Sequence, residues 1–270
     1  MLPAVGDAEG AEVYAATVAA SSSHCARLLD VFSQGEADGL QSWTLLVFEL
    51  ADATVADFLA KIGRAPVDGA RMVAVSVARG LRHLLQRGLC HGDVKSANVF
   101  LHGGPGWHGV QRAVLGDFGS CFASDQDCRR PRQAADIGTP RWRAPELEAR
   151  PPIYGPCVDA YGLGLVLLAL AKGDIGGAIH FQGEVDEAAA LYLPSIFESV
   201  GYAAARAIRG LLAVEPGARW SVDDFLTGAF AQPDRFAICQ VPVRSVRPHI
   251  AERFLCVAPS VSCACPRFIL

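Results

Sequence analysis

The sequence predicts an α+β fold on three observations. Short apolar runs that read as strands lie in the first half, helical periodicity dominates the second, and 51% hydrophobic residues in 270 supply a sizeable core.

Taken in order, Glu12–Ala20 is Ala-rich and helix-compatible, and Ser21, Ser22 and Ser23 break it. Arg27–Phe32 and Thr44–Leu50 read as a strand pair. From Thr54 the period becomes helical: Val55, Phe58 and Leu59 share one face, and Met72, Val73, Val75, Ala78, Leu81 and Leu84 mark a long helix. Two short strands follow, Val99–Leu101 and Ala113–Leu115, around the Gly-, Pro- and His-rich run Gly103–Gly109. Ser120–Ala149 is polar, punctuated by Pro and expected to be irregular. Helices resume at Val158–Ala171, near Leu191–Phe197 and at Ala203–Leu212. After Phe230 the composition turns to Pro, Arg and Cys without a period, which reads as a tail.

Composition narrows the function classes. A net charge of −4 offers no basic footprint for nucleic acid or an anionic membrane. The opening Met1–Val5, followed by Asp7 and Glu9, lacks a secretory n-region and h-region. The longest apolar run, Leu163–Ala171, falls short of the roughly 20 residues a bilayer span needs. Nine cysteines, odd in number and never spaced Cys-x-x-Cys, point to reduced thiols rather than a zinc site or a fully paired disulfide framework. Cys263 and Cys265 lie beside Pro266 with no terminal CaaX box for lipidation. An intracellular, cytoplasmic location is the expectation.

Three motifs carry the functional inference. They are His91, Gly92, Asp93, Val94, Lys95, Ser96, Ala97, Asn98, Val99, Phe100; then Asp117, Phe118, Gly119; then Gly138, Thr139, Pro140, Arg141, Trp142, Arg143, Ala144, Pro145, Glu146. In this order, after a helix and around a short hairpin, they resemble the catalytic loop, metal-binding turn and activation-segment end of eukaryotic-type serine/threonine protein kinases. The resemblance covers roughly residues 12–230.

It implies a protein-kinase-like two-lobed α+β fold with an incomplete N-lobe (residues 1–50), a hinge and mostly α-helical C-lobe (51–230), and a C-terminal tail (231–270). It implies transfer of the ATP γ-phosphate to a protein serine or threonine. Asp93 matches the base, Lys95 the cation that steadies the phosphate, Asn98 and Asp117 the Mg²⁺ ligands. The segment Thr44–Phe58 resembles the strand and hinge, with Phe48 in the gatekeeper place and Glu49, Leu50 and Ala51 offering backbone groups to adenine; Phe100 belongs to the same nucleotide site. A plain buried strand explains Leu45–Phe48 equally well. His91, Phe118, Gly119 and Thr139 take structural or activation-segment places. Glu146 is expected to pair with Arg219 in the stretch Glu215–Ser221, and Asp159 to tether the catalytic-loop backbone.

Departures from the pattern are specific. Gly92 stands where the His-Arg-Asp arginine would be, so no guanidinium there receives an activation-loop phosphate. Gly6 and Gly10 lack the G-x-G-x-x-G spacing, and the first lysine of the chain is Lys61, beyond the hinge. Glu12 sits about where the helix glutamate that pairs with a strand lysine would fall. Two readings stay open: a shortened version of an active kinase, or a pseudokinase that acts as a protein-binding scaffold.

Overall fold

The structure is a computed structural model that describes residues 8–34, 43–124, 137–149, 152–173 and 201–232, all within the compact unit Met1–Pro233. The expected helix near Leu191–Phe197, Cys263 and Cys265, and the tail from residue 233 lie outside the described residues.

Helix α1 (Ala8–Ala19) begins four residues earlier than its Ala-rich core indicates. Ala15, Ala16 and Ala19 recur at helical spacing and are buried, so small side chains let this helix sit close to its neighbours. Strands β1 (Leu28–Gln34) and β2 (Trp43–Phe48) form an antiparallel sheet in the register Val31↔Leu46 and Phe32↔Leu45. Much of its apolar surface faces outward: Leu29, Phe32, Trp43 and Leu45 are each about half exposed.

A second sheet has the order β3 (Ala53–Thr54), β5 (Val99–Gly103), β6 (Val110–Leu115), all antiparallel, with Val99↔Leu115 and Leu101↔Ala113 paired. A third joins β4 (Leu89–Cys90) to β7 (Phe122–Ala123). Strand β7 lies inside the stretch expected to be irregular. Two residues carry no readable period, so only its pairing with β4 defines it.

Directly after β3, Thr54 caps α2 (Val55–Ile62): its Oγ1 accepts the Asp57 N–H at 3.1 Å while the Asp57 carboxylate accepts the Thr54 N–H at 2.9 Å. Such a capping box satisfies two orphan donors and is worth about 1 kcal/mol. Helix α3 (Val67–Leu85) buries Val73, Ala74, Val77, Ala78, Leu81 and Leu84, a stripe at three- and four-residue intervals.

Helix α4 (Pro156–Lys172) is buried all round from Val158 to Ala171, which is why its sequence is apolar on every face. A Cβ on Gly162 would stand 2.6 Å from the Val94 Cβ and 2.8 Å from the Val94 carbonyl oxygen, so glycine is what lets α4 touch the loop that carries Asp93. Helix α5 covers residues 201–211, and α6 (Val222–Thr227) starts from a second capping box, Ser221 with Asp224. Among the described residues no helix is long and apolar enough to cross a membrane, and Cys25, Cys90, Cys121 and Cys157 form no disulfide.

Candidate active site

The loop from His91 to Asn98 runs from β4 into β5 and is held from below by α4. Asp159, buried in the first turn of α4, accepts the backbone N–H of His91 through Oδ2 at 2.7 Å and that of Gly92 through Oδ1 at 2.8 Å. Burial raises its pKa, and the nearby His91 and these two donors oppose the rise. His91 is fully buried, with Nε2 at 3.1 Å from the Gly116 carbonyl, which can only accept. Nε2 therefore carries the proton, and Nδ1 accepts the Asp93 N–H at 3.2 Å.

Gly92 has φ of +82°, and a Cβ there would lie 2.6 Å from the Ser120 carbonyl oxygen and 3.2 Å from the Phe122 ring. Glycine fits both the left-handed backbone and the close approach of β7.

The side chains of Asp93, Lys95, Asn98 and Thr139 meet at one point. Lys95 Nζ donates to Asp93 Oδ2 at 2.6 Å and to Thr139 Oγ1 at 2.7 Å. Thr139 donates to Asp93 twice, through its backbone N–H at 2.8 Å and its hydroxyl at 2.9 Å, both to Oδ1. Asn98 Nδ2 donates to the Asp93 carbonyl at 2.9 Å, leaving its amide oxygen without a hydrogen bond among the described residues. Burial would raise the Asp93 pKa, but the Lys95 and Thr139 hydrogen bonds and the Lys95 charge outweigh it and hold the carboxyl below the usual range. The group is a carboxylate presented with a cation beside it. The double donation from Thr139 was not read from the sequence; the Gly-Thr-Pro motif marks the residue but not its reach across 46 positions.

Phe118, buried, packs edge-on to His91 at 5.8 Å and against Phe48 of β2 at 6.4 Å, joining the loop to the first sheet. Its neighbour Asp117 is exposed and has φ of +64°, an unusual backbone state for a residue with a side chain. The Phe100 ring lies against Gly116, immediately before Asp117. The position a Cβ on Gly119 would take is 3.5 Å from Glu12 Oε2 and 3.7 Å from Asp117 Oδ1. Two carboxylates thus face each other, and among the described residues neither has a hydrogen bond or an ion pair. Burial and the charge of Asp117 raise the Glu12 pKa.

At the end of β2, the Glu49 N–H donates to the Arg27 carbonyl at 2.9 Å and its carboxylate pairs with Arg112 at 2.6 Å. The Glu49 carbonyl and both backbone groups of Ala51 make no hydrogen bond among the described residues. Farther off, Arg219 pairs bidentately with Glu146 in the interior. Its remaining N–H groups go to the carbonyls of Ala213 at 2.8 Å, Cys157 at 2.9 Å and Val214 at 3.1 Å, and its guanidinium lies 4.9 Å from the Tyr161 ring centre. All five donors are used, which is what makes a buried guanidinium tolerable.

The serine/threonine-protein kinase PAK 4 of Homo sapiens is 37% identical over 103 residues, 38% of this chain and 16% of that protein. Mitogen-activated protein kinase kinase kinase 20 of Arabidopsis thaliana is 27% identical over 210 residues, 73% of this chain and 58% of that one. The serine/threonine-protein kinase US3 homolog of Varicella-zoster virus (strain Dumas) is 37% identical over 117 residues, 43% of this chain and 28% of the viral protein. The matches span less than two thirds of each relative's length. The family model described as protein kinase domain matches residues 11–231, nearly all of the compact unit that holds the Asp93 cluster, and the chain belongs to that family.

Proposed function

We propose that this chain is a protein serine/threonine kinase domain that transfers the γ-phosphate of ATP, bound with Mg²⁺, to a hydroxyl of a protein substrate. Protein kinase domains use ATP and a divalent metal on protein substrates. The observation that carries the finer reading is the ionised Asp93 carboxylate gathered with Lys95, Asn98 and Thr139.

In this reading Asp93 orients the incoming hydroxyl and accepts its proton, and Lys95 puts a positive charge beside the transferring group. The amide oxygen of Asn98 and the carboxylate of Asp117, neither with a hydrogen bond among the described residues, would hold the metal. No group of three His, Cys, Asp or Glu side chains among the described residues could do so alone. A hard cation such as Mg²⁺ takes one or two protein oxygens and completes its shell with phosphate and water. The metal supplies charge neutralisation at the phosphates. The Glu49 carbonyl and the Ala51 backbone groups, without hydrogen bonds among the described residues, suit the adenine edge, and Phe100 supplies an apolar surface near Asp117. Thr139 fixes the Asp93 carboxylate, while His91, Phe118, Gly119, Asp159 and the Glu146–Arg219 pair hold the surrounding backbone.

Transfer of labelled phosphate from ATP to a generic acceptor protein tests this, comparing the wild type with Asp117→Ala and Asp93→Asn. Each substitution is expected to lower incorporation by about a hundredfold or more. Equal incorporation by wild type and Asp117→Ala would reject the assignment.

A second reading, a scaffold without catalysis, is favoured by one observation: Glu12 faces Asp117 with no lysine between them, the first lysine of the chain being Lys61. Wild type that transfers no phosphate, yet folds and retains a protein partner, would select it.

A further inference from the structure

A cavity of about 400 Å³ opens between α3, β6 and the loop after α1. Its walls carry Arg71 and Arg79 of α3, Arg112 of β6 and His24 of the loop, with Asp68 its one acidic residue. Two of the arginines are already matched: Arg71 donates to Asp68 at 2.6 Å and to the Phe230 carbonyl at 2.8 Å, and Arg112 to Glu49 at 2.6 Å. Arg79 is exposed and has no hydrogen bond or ion pair among the described residues.

The protons of the cavity can be placed. Ser76 Oγ lies 2.6 Å from the Ala113 carbonyl, which can only accept, so the single hydroxyl proton goes there. His24 Nδ1, 2.9 Å from Ser76 Oγ, must then be the donor. In the neutral imidazole this leaves Nε2 bare, able to take up a proton and become a further cationic donor. Burial, then Arg79, Arg82 and His83 on α3, lower the His24 pKa. The other charged groups lining the cavity are Arg71, Asp68 and Arg112, and Arg82 lies 3.8 Å from Asp223.

We propose that this cavity is an anion site for a phosphate group, held by Arg79 with His24 protonating as the anion enters. A dianion supplies the counter-charge that Arg79 lacks among the described residues and repays the cost of charging His24 among guanidinium groups. The chain's own segment after residue 233 is a poor source of that charge: it holds Asp234 and Glu252 against Arg235, Arg244, Arg247, Arg253 and Arg267. The site is separate from the Asp93 cluster and stands whether or not the chain is a catalyst.

Calorimetric titration of the full chain with sulfate tests it, because sulfate keeps both charges between about pH 8 and pH 5.5, so any change in affinity belongs to the protein. Affinity is expected to rise several-fold as the pH falls, and His24→Gln to abolish the rise. Arg79→Ala should bind about tenfold or more weakly at every pH. Arg209→Ala, an exposed arginine that does not line the cavity, should bind as wild type does. Since Arg79 is exposed, its variant should also melt as wild type does, which keeps the test independent of folding.

Inorganic phosphate and a phosphoserine peptide then separate two sources of the same group. Tighter binding of the peptide, dependent on Arg79, assigns the site to a modified protein segment; equal binding assigns it to the free ion. Absence of binding, equal binding by wild type and Arg79→Ala, or peptide binding unchanged when its phosphate is removed, overturns the proposal.

Discussion

Asp159 Oδ1 accepts the backbone N–H of Gly92 at 2.8 Å, so one carboxylate in α4 sets the course of the chain just before Asp93. Because Oδ2 also takes the His91 N–H, Asp159→Ala would orphan two buried donors. A loss of about 3 kcal/mol or more is expected, read as a lower midpoint in urea unfolding. An unchanged midpoint would mean that the loop is held otherwise.

Gly92 itself gives a second prediction. With φ of +82° and Ser120 O 2.6 Å from where a Cβ would stand, Gly92→Ala must strain the backbone or push β7 aside. The left-handed state alone costs about 1–2 kcal/mol. Thermal melting should therefore show a lower midpoint for Gly92→Ala, and Gly92→Arg should not behave as a restoration of the family's motif.

The Glu146–Arg219 pair predicts an asymmetry. Arg219→Ala leaves a buried carboxylate facing carbonyls and should cost about 3–5 kcal/mol. Replacing both residues with apolar side chains of similar volume should cost less than that single change, which a double-mutant cycle in urea measures.

Stability at low pH follows from Asp93. Its carboxyl is held below the usual range, so the folded state binds its proton less readily than the unfolded chain. The resulting stability is present above the unfolded value, near 3.9, and is lost as pH falls through the lower folded value. Melting temperatures between about pH 5 and pH 2.5 should fall less steeply for Asp93→Asn than for wild type.

Solubility should respond to the β1–β2 sheet. Leu29, Phe32, Trp43 and Leu45 form an exposed apolar surface on strands that pair only with each other among the described residues. Phe32→Ser with Leu45→Thr should reduce light scattering at high protein concentration while leaving the melting temperature within a few degrees of wild type.

How much of this was legible depends on range. Helix α3 announced itself through Val73, Ala78, Leu81 and Leu84, and the β5–β6 pair through its two apolar runs around a Gly-rich turn, because period and turn chemistry are local. Helix α6 went unread although Ser221 and Asp224 form a capping-box pattern; six residues are too few to show a period. Strands β4 and β7 exist only through pairing between residues 89–90 and 122–123. The motif spellings named Asp93, Asn98 and Asp117, but not the approach of the Glu12 carboxylate to that of Asp117. Nor could spacing reveal the cavity, whose arginines come from positions 71, 79 and 112 on two elements.

The central claim, that Asn98 and Asp117 hold a metal-bound nucleotide above Asp93, is tested most directly by the magnesium dependence of ATP binding. Wild type should bind ATP with Mg²⁺ at least about tenfold more tightly than with EDTA, and Asp117→Ala should lose that difference. Binding that is indifferent to magnesium, or equally magnesium-dependent in Asp117→Ala, would contradict the account.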